Sequence, residues 1–331
     1  MYYPYLTRLP LQGTKSSHSH LHCHGDDDCF PFIHDSLSED VSASIQYCKN
    51  NSAEMDRKNP RIATVTAQFG EPQHHYQRAL RTHLVHSIIH GTDVHVLCEN
   101  IVDDLWNKPA FILSILLGEL AKPKEERLEW LMWVDRDTVV LDNCRSPASF
   151  LPPAPGWAAN GPDPAYITKR DKFPKGNVHL LATTDWNGLN NGVFLLRVNR
   201  WSVDLFDSIL SYRHYKPDVE LKFTEQSAME LLLQEEKFRH NVTWVPQWWF
   251  NAYPGPQRDF KTDEQVELES YHARPGDFLV HFAGVGDREK AMVPWLRVAE
   301  LRTSGWAAGP TQRKLDYEVA DFWRKRAVKS P

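Results

Sequence analysis

The chain has 331 residues, 24% of them charged, and carries a formal net charge of −5 at pH 7. That length supports a sizeable buried core, while a slight acidity with no stripe of lysine and arginine excludes a nucleic acid or an anionic membrane surface as partner. The longest apolar run, "AFILSILLGELA" from Ala110, carries Glu119 and is too short to cross a bilayer, and "MYYPYLTRLPLQG" at the start lacks a signal-peptide core. With no transmembrane segment in view, the sequence taken literally reads as soluble.

Residues 1 to about 58 are polar, rich in serine and histidine, and without periodicity, so they read as a flexible leader. Within them "HSHLHCHGDDDC", His18 to Cys29, brings imidazole, thiol and carboxylate together and could bind zinc or copper, although a solvated tail with incidental metal affinity is the simpler reading. The five cysteines show no CxxC spacing, which argues against a zinc ribbon or a redox motif. Two sequons, at Asn50 and Asn241, matter only in a secretory compartment.

From Arg61 the pattern changes. "RIATVTAQFG" predicts a buried strand, and Tyr76, Leu80, Leu84 and Ile88 recur at helical spacing up to a glycine cap at Gly91. "DVHVLCEN" predicts a second strand, "KPAFILSILLGELA" a helix with proline in its first turn, and "WLMWV" a third strand. Strand, helix, strand, helix, strand implies right-handed crossovers and a parallel sheet covered on both faces. A Pro-rich stretch from Ser146 to Tyr166 is too long for a simple connection and reads as functional. A Gly/Asn loop, "DWNGLNNG", then leads into a strand over Val193 to Val198. Helices follow at "RWSVDLFDSILSYRHY", with Ser202 as N-cap, and at "TEQSAMELLLQEEKF", capped by Thr224. "WVPQWWFNAYPGP" reads as an aromatic loop, "DFLVHFAG" as a last strand ending at His281, and Thr311 to Pro331 as a peripheral charged tail.

The informative position is the end of "WLMWV", where Asp135 and Asp137 flank Arg136. In an extended segment residues i and i+2 point the same way, so both carboxylates are expected to face one point at the carboxyl edge of the sheet, where open α/β folds bind ligands. Two converging carboxylates repel unless a cation lies between them, and oxygen ligands suit Mg²⁺ or Mn²⁺. "DRDTVV" also matches the opening motif of haloacid-dehalogenase-type phosphatases, but that motif ends the first strand of its fold, whereas two strand-helix units precede it here. A glycosidase pair fits poorly. Transfer of a sugar from a nucleotide diphosphate fits best, because a metal there neutralises the leaving group. Trp186, Trp244, Trp248 and Trp249 offer faces for sugar rings, and Asn187, Asn190, Asn191 and Gln226 offer amides for hydroxyls.

Five segments in order, "MWVDRDTVV", "DWNGLNNGVFLLRVNRWSVDLF", "EQSAMELL", "WVPQWWFNAYP" and "RPGDFLVHFAG", resemble the fungal galactosyltransferase and mannosyltransferase group of glycosyltransferase family 34, over roughly Arg61 to Trp306. The resemblance implies a GT-A-type α/β fold with a Rossmann-like central sheet, a retaining mechanism that forms an α-linkage, and Mn²⁺ (or Mg²⁺) dependence. The donor it implies is a nucleotide sugar, UDP-galactose or GDP-mannose, and the acceptor a glycan; related plant members move xylose from UDP-xylose onto a glucan. Asp135 and Asp137 would hold metal and diphosphate, with His281 as third ligand. Gln68, Lys108 and Gly284 of "HFAG" would lie near the nucleotide. Glu225 and Gln226 would sit beside the anomeric carbon, where a carboxylate in a helix's first turn stays ionised and can stabilise an oxocarbenium-like centre. Asp185 and Asn187 would contact the donor sugar or the acceptor.

Two departures from that pattern bear on the site and on location. Plant relatives carry a basic residue soon after "HFxG", where this chain has Val285 and Gly286, so Arg288 or Lys290 would have to serve the diphosphate. Family members are usually anchored Golgi proteins, and no anchor is visible here. The expected organisation is therefore a leader (1–58), a GT-A domain (59–310) and a tail (311–331), in a Golgi enzyme that is soluble or truncated and able to assemble with other glycosyltransferases. The non-catalytic alternative is a nucleotide-sugar or glycan-binding protein on the same fold.

Overall fold

The computed structural model describes residues 20–25, 37–51, 60–153, 178–256, 267–300 and 313–326. Its elements in chain order are β1 (Leu21–His24), α1 (Leu37–Asn51), β2 (Ile62–Ala67), α2 (His74–His90), β3 (Asp93–Leu97), α3 (Asn107–Ala121), β4 (Trp130–Val134) and β5 (Thr138–Val140). They continue with β6 (Leu180–Asp185), β7 (Gly188–Arg197), α4 (Arg200–Tyr215), α5 (Thr224–Gln234), α6 (Glu236–Arg239), β8 (Val242–Trp244), β9 (Leu279–His281), α7 (Arg288–Glu300) and α8 (Leu315–Arg326).

The β2-α2-β3-α3-β4 run forms where the hydrophobic period predicts it, and Gly91 closes α2 in the left-handed conformation at φ 63°. These strands belong to a seven-stranded sheet in the order β1-β3-β2-β4-β7-β6-β8. Neighbours from β1 to β4 run parallel, β7 is antiparallel to both β4 and β6, and β8 is parallel to β6. The sheet is thus mostly parallel at one side and mixed at the other. Both faces are covered, as β4 shows by alternation: Leu131 and Trp133 pack with Phe111, Ile112 and Phe206 of α3 and α4, whereas Met132 and Val134 pack with Trp249, Phe278 and Trp323.

Several elements depart from the sequence reading. Residues Leu21–His24 and Leu37–Asn51, read as leader, are an edge strand on β3 and a helix whose Cys48 is disulfide-bonded to Cys144. The Gly/Asn segment is the start of the ten-residue β7, which pairs Gly188 with Asp185 across a tight turn at Trp186-Asn187. Asn199, not Ser202, caps α4, because its side chain accepts from the Ser202 amide. Thr224 makes no capping bond; it stands at φ 48°. β8 ends at Trp244, where the aromatic loop begins, and α7 follows β9 with no forewarning. In the tail, Trp323 of α8 is fully buried and donates to the Phe150 carbonyl. Residues 154–166 of the Pro-rich stretch and 18, 19 and 26–29 of the histidine-rich motif lie outside the described residues.

Candidate active site

The carboxyl end of β4 turns sharply through Asp135-Arg136-Asp137 into β5, which pairs antiparallel with β9 so that Thr138 lies opposite His281. Convergence of the two aspartates therefore comes from this turn rather than from an extended run. Backbone bonds fix its limbs: Asp135 N donates to Gly192 O at 2.8 Å, and Phe282 N to Asp137 O at 2.9 Å. Arg136 faces away, its guanidinium 4.3 Å from the Tyr76 ring.

Around that turn three acceptors meet. His281 Nε2 lies 3.4 Å from Asp137 Oδ1 and 4.0 Å from Asp135 Oδ2. The other ring nitrogen, Nδ1, is 2.7 Å from Asn251 Oδ1. Asn251 spends its amide hydrogens on Thr183 Oγ1 at 2.8 Å and Asn190 Oδ1 at 3.0 Å, so its oxygen must accept and Nδ1 must carry the hydrogen. In the neutral ring that leaves Nε2 with its lone pair toward the carboxylates, which is how a hydrogen bond to the far ring nitrogen orients metal-binding histidines. Gly192 makes room, since a Cβ at that position would fall 2.1 Å from His281 Cε1. Two carboxylate oxygens and an imidazole facing one point fit a divalent ion.

Positive charge flanks this cluster on both sides. Arg288 Nε, in the first turn of α7, is 2.7 Å from Asp137 Oδ2. Burial alone would push the Asp137 carboxyl up, but His281 when protonated, and Arg288, outweigh it and hold it well below the usual range. Lys108, in the first turn of α3, places Nζ 3.1 Å from Asp135 Oδ1 and 3.2 Å from Glu225 Oε1. Burial would lower that ammonium, yet the two carboxylates raise it. Glu225 is 3% exposed, and its Oε2 is buried with no hydrogen-bond partner. A buried carboxylate oxygen left unpaired beside the Asp135, Asp137 and His281 cluster has the capacity to accept from a ligand group.

The remaining expected residues divide in two. Asp185 belongs to the network, because its Oδ2 accepts from Tyr253 OH at 2.5 Å and from Asn190 Nδ2 at 3.1 Å. Burial and Asp185 together push the Tyr253 phenol up, so it stays a donor. Gln226 Oε1 accepts from the Asn191 amide at 3.1 Å and so pins β7. Gly284 turns the chain after Phe282 at φ 71°, where glycine is needed. Gln68 sits at the same sheet edge just past β2 and is 3.4 Å from the Tyr76 carbonyl, while Asn187 is exposed in the hairpin turn; neither bonds to the carboxylate cluster. Asn190 and Asn191 turn their amides inward, to Tyr253 and toward Glu225, rather than outward.

Of the two basic residues expected to replace the missing one after "HFxG", Arg288 reaches the site and Lys290 is exposed. Among the tryptophans, Trp249 is core and Trp248 is tied to Glu318, whereas Trp186 is 69% exposed and flanked edge-on by Tyr253 and Tyr271. Asn251, Tyr253 and Gly192 were not read as site residues from sequence. Their role comes from partners distant in the chain, and the only local signal is that all three fall inside quoted motifs.

The profile of the galactosyl transferase GMA12/MNN10 family matches residues 90–291, more than half of the chain and spanning every member of this cluster. The chain belongs to that family. Its curated relatives are glycosyltransferases: a probable xyloglucan 6-xylosyltransferase 1 from Oryza sativa subsp. indica is 25% identical over 68% of this chain and 52% of its own length. An alpha-1,2-galactosyltransferase of Schizosaccharomyces pombe is 24% identical over 53% of this chain and 47% of that one. A probable alpha-1,6-mannosyltransferase MNN10 of Saccharomyces cerevisiae is 26% identical over 47% and 41% respectively. The chain spans about half the length of the curated relatives it matches first. Among solved structures, a glycosyltransferase involved in glycosylation of the major capsid of PBCV-1 aligns with a TM-score of 0.48 at 14% identity, over 71% of this chain and 99% of that one. The GMA12/MNN10 assignment and the sheet topology together give the α/β, GT-A-type fold that the resemblance implies. Among the described residues, no helix is long and apolar enough to cross a membrane.

Proposed function

We propose that this chain is a divalent-cation-dependent retaining glycosyltransferase that moves galactose or mannose from UDP-galactose or GDP-mannose to a glycan hydroxyl, forming an α-linkage. The observation that carries the reading is the meeting of Asp135, Asp137 and the Nε2 acceptor of His281 between two cations, Lys108 and Arg288. Asp135, Asp137 and His281 would hold Mn²⁺ or Mg²⁺, which supplies Lewis-acid neutralisation of the leaving diphosphate. The rest falls to the protein. Arg288 and Lys108 complement phosphate charge, and Asn251 fixes the imidazole in the binding tautomer.

The transfer itself breaks the bond between the anomeric carbon and the diphosphate oxygen and releases the nucleoside diphosphate. The acceptor hydroxyl bonds to that carbon from the same face, and its proton passes to the departing phosphate oxygen. Glu225, with an unpaired Oε2, is the group assigned to stabilise positive charge at the anomeric carbon. Asp185, anchored by Tyr253 and Asn190, and the exposed Asn187 beside it are assigned to sugar hydroxyls, and Trp186 to the face of an acceptor ring. Gln68 is assigned to the nucleotide side and Gln226 to the support of β7. The Cys48–Cys144 disulfide, with Cys98 also disulfide-bonded, supports residence in an oxidising compartment such as the Golgi lumen.

The test is to incubate purified protein with Mn²⁺ and each of UDP-galactose, GDP-mannose and UDP-xylose and to follow released nucleotide. Release that EDTA abolishes supports the reading. No release from any donor, with or without added acceptor glycans, contradicts it.

A further inference from the structure

The histidine-rich motif near the start of the chain is not absorbed by the transferase site, and part of it is folded. β1 pairs in parallel with β3 in a register that sets His22 beside His95 and Leu21 beside Val94. Leu21, Val94 and Val96 enter the apolar core under α1 and α2. Alternation then puts His20, His22 and His24 on the other face of the sheet, together with Asp93 and His95. Five ligating side chains on one small face of an edge-strand pair are more than keeping an edge polar requires.

Three of them are placed as ligands of one ion. One ligand atom from each of His22, Asp93 and His95 lies within 4.8 Å of the others. His22 Nε2 and His20 Nδ1 stand 3.5 Å and 3.3 Å from the same oxygen, Asp93 Oδ1. Ligands about 2.1 Å from a tetrahedral ion are about 3.4 Å apart, so both separations are edges of such a tetrahedron. His22 Nε2 is screened from solvent and has no hydrogen-bond partner. His95 Nδ1 is 3.0 Å from His24 Nε2, which acts as the outer orienting group and leaves His95 Nε2 as the ligating atom.

We propose that His22, Asp93 and His95, with His20 swinging in from its contact with Asp93 as fourth ligand, form a second metal site, selective for Zn²⁺, that clips β1 to β3. Three imidazoles and one carboxylate suit zinc rather than the manganese or magnesium expected of the aspartate-rich cluster at β4. The two sites are separate, because β3 is divided from β4 by β2. The clip joins residues 71 to 75 positions apart in the chain and holds a four-residue edge strand that backbone pairing alone would leave prone to fraying.

The experiment uses the full chain, stripped with a chelator and titrated with Zn²⁺ by calorimetry, with amide hydrogen exchange over residues 20–25 read in parallel. Zinc should bind in one more equivalent to the wild type than to His22→Asn or Asp93→Asn, or about 100-fold tighter. It should slow exchange over β1 in the wild type alone. Asp137→Ala should keep this equivalent, and His22→Asn should keep Mn²⁺-dependent donor turnover. His22 is half-exposed and Asp93→Asn is isosteric, so both variants should fold. Zinc uptake identical in wild type and both variants, or zinc that leaves exchange over β1 unchanged in the wild type, overturns the proposal.

Discussion

Gly192→Ala probes the site through a residue that itself bears no chemistry. A Cβ built at Gly192 lies 2.1 Å from His281 Cε1 and 2.9 Å from both ring nitrogens. Non-bonded carbons settle at about 3.5–4.0 Å, so the imidazole must retreat by roughly 1.5 Å or β7 must bend away. The ring has little freedom to do this gently, because Nδ1 is tied to Asn251, and both His281 and Asn251 are buried. Metal ligands tolerate about 0.2 Å of misplacement, so a shift of this size should remove Nε2 from the shell formed with Asp135 and Asp137. We expect Mn²⁺ affinity to fall by about 10- to 100-fold, turnover to fall at least as far, and overpacking to cost about 1–3 kcal/mol of stability. The assay is Mn²⁺ titration by electron paramagnetic resonance beside thermal unfolding and nucleotide release. Gly118→Ala in α3, where a Cβ meets nothing within 4 Å, is the control and should be neutral or stabilise by up to about 1 kcal/mol. Wild-type Mn²⁺ affinity in Gly192→Ala would refute the reasoning.

Further expectations concern charge, aromatic contact, acidity and covalent linkage. Lys108→Met strands the buried Glu225 without a cation and should cost about 3–5 kcal/mol, read as a fall in the denaturant midpoint, as well as most of the turnover. Trp186→Ala should raise KM for acceptor at least several-fold with kcat for donor hydrolysis and Tm little changed, because the ring is exposed. Burial holds His83 near pKa 4 against an ordinary 6.5, and His86 well below 6.5, so both are neutral in the folded protein. Their contribution is fully present above pH 6.5 and is lost as pH falls from 6.5 toward 4, and unfolding followed by circular dichroism should show stability dropping by a few kcal/mol over that window. Cys48→Ser opens a bridge spanning 96 positions and should lower stability by about 2–5 kcal/mol, while reductant, which also opens the disulfide of Cys98, should cost the wild type at least as much.

What the sequence discloses follows the range over which its signals act. The β2 to β4 run was legible because "RIATVTA" and "WLMWV" are short apolar strands and α2 keeps a four-residue apolar period up to Gly91. β5 was not, because three residues after a turn carry no period, and its partner β9 lies far along the chain. The β6–β7 hairpin hid inside asparagines and glycines that look like loop but are held by pairing and by side-chain bonds to Asn251 and Gln226. β1 and α1 looked unstructured because their apolar residues are sparse; Leu21, Leu37, Val41 and Cys48 suffice only once β3 and α2 are there to receive them.

The site shows the same division. Asp135 and Asp137 could be read from their place after a buried strand, though the reason they converge is the turn into β5 rather than strand alternation. His281, Glu225 and Lys108 entered through the resemblance, and the structure brings all three to the aspartates. Asn251 and Gly192 escaped notice because one acts through a hydrogen bond to a ring and the other by having no side chain. Neither property is visible in a motif.

The most direct measurement of the central claim is Mn²⁺ binding by electron paramagnetic resonance in the presence of UDP or GDP, on the wild type and on Asp137→Ala and His281→Ala. The account predicts one Mn²⁺ per wild-type chain at this site, tightened by the nucleotide and lost in both variants together with EDTA-sensitive turnover. Mn²⁺ bound equally well by all three proteins, or turnover indifferent to EDTA, would contradict it.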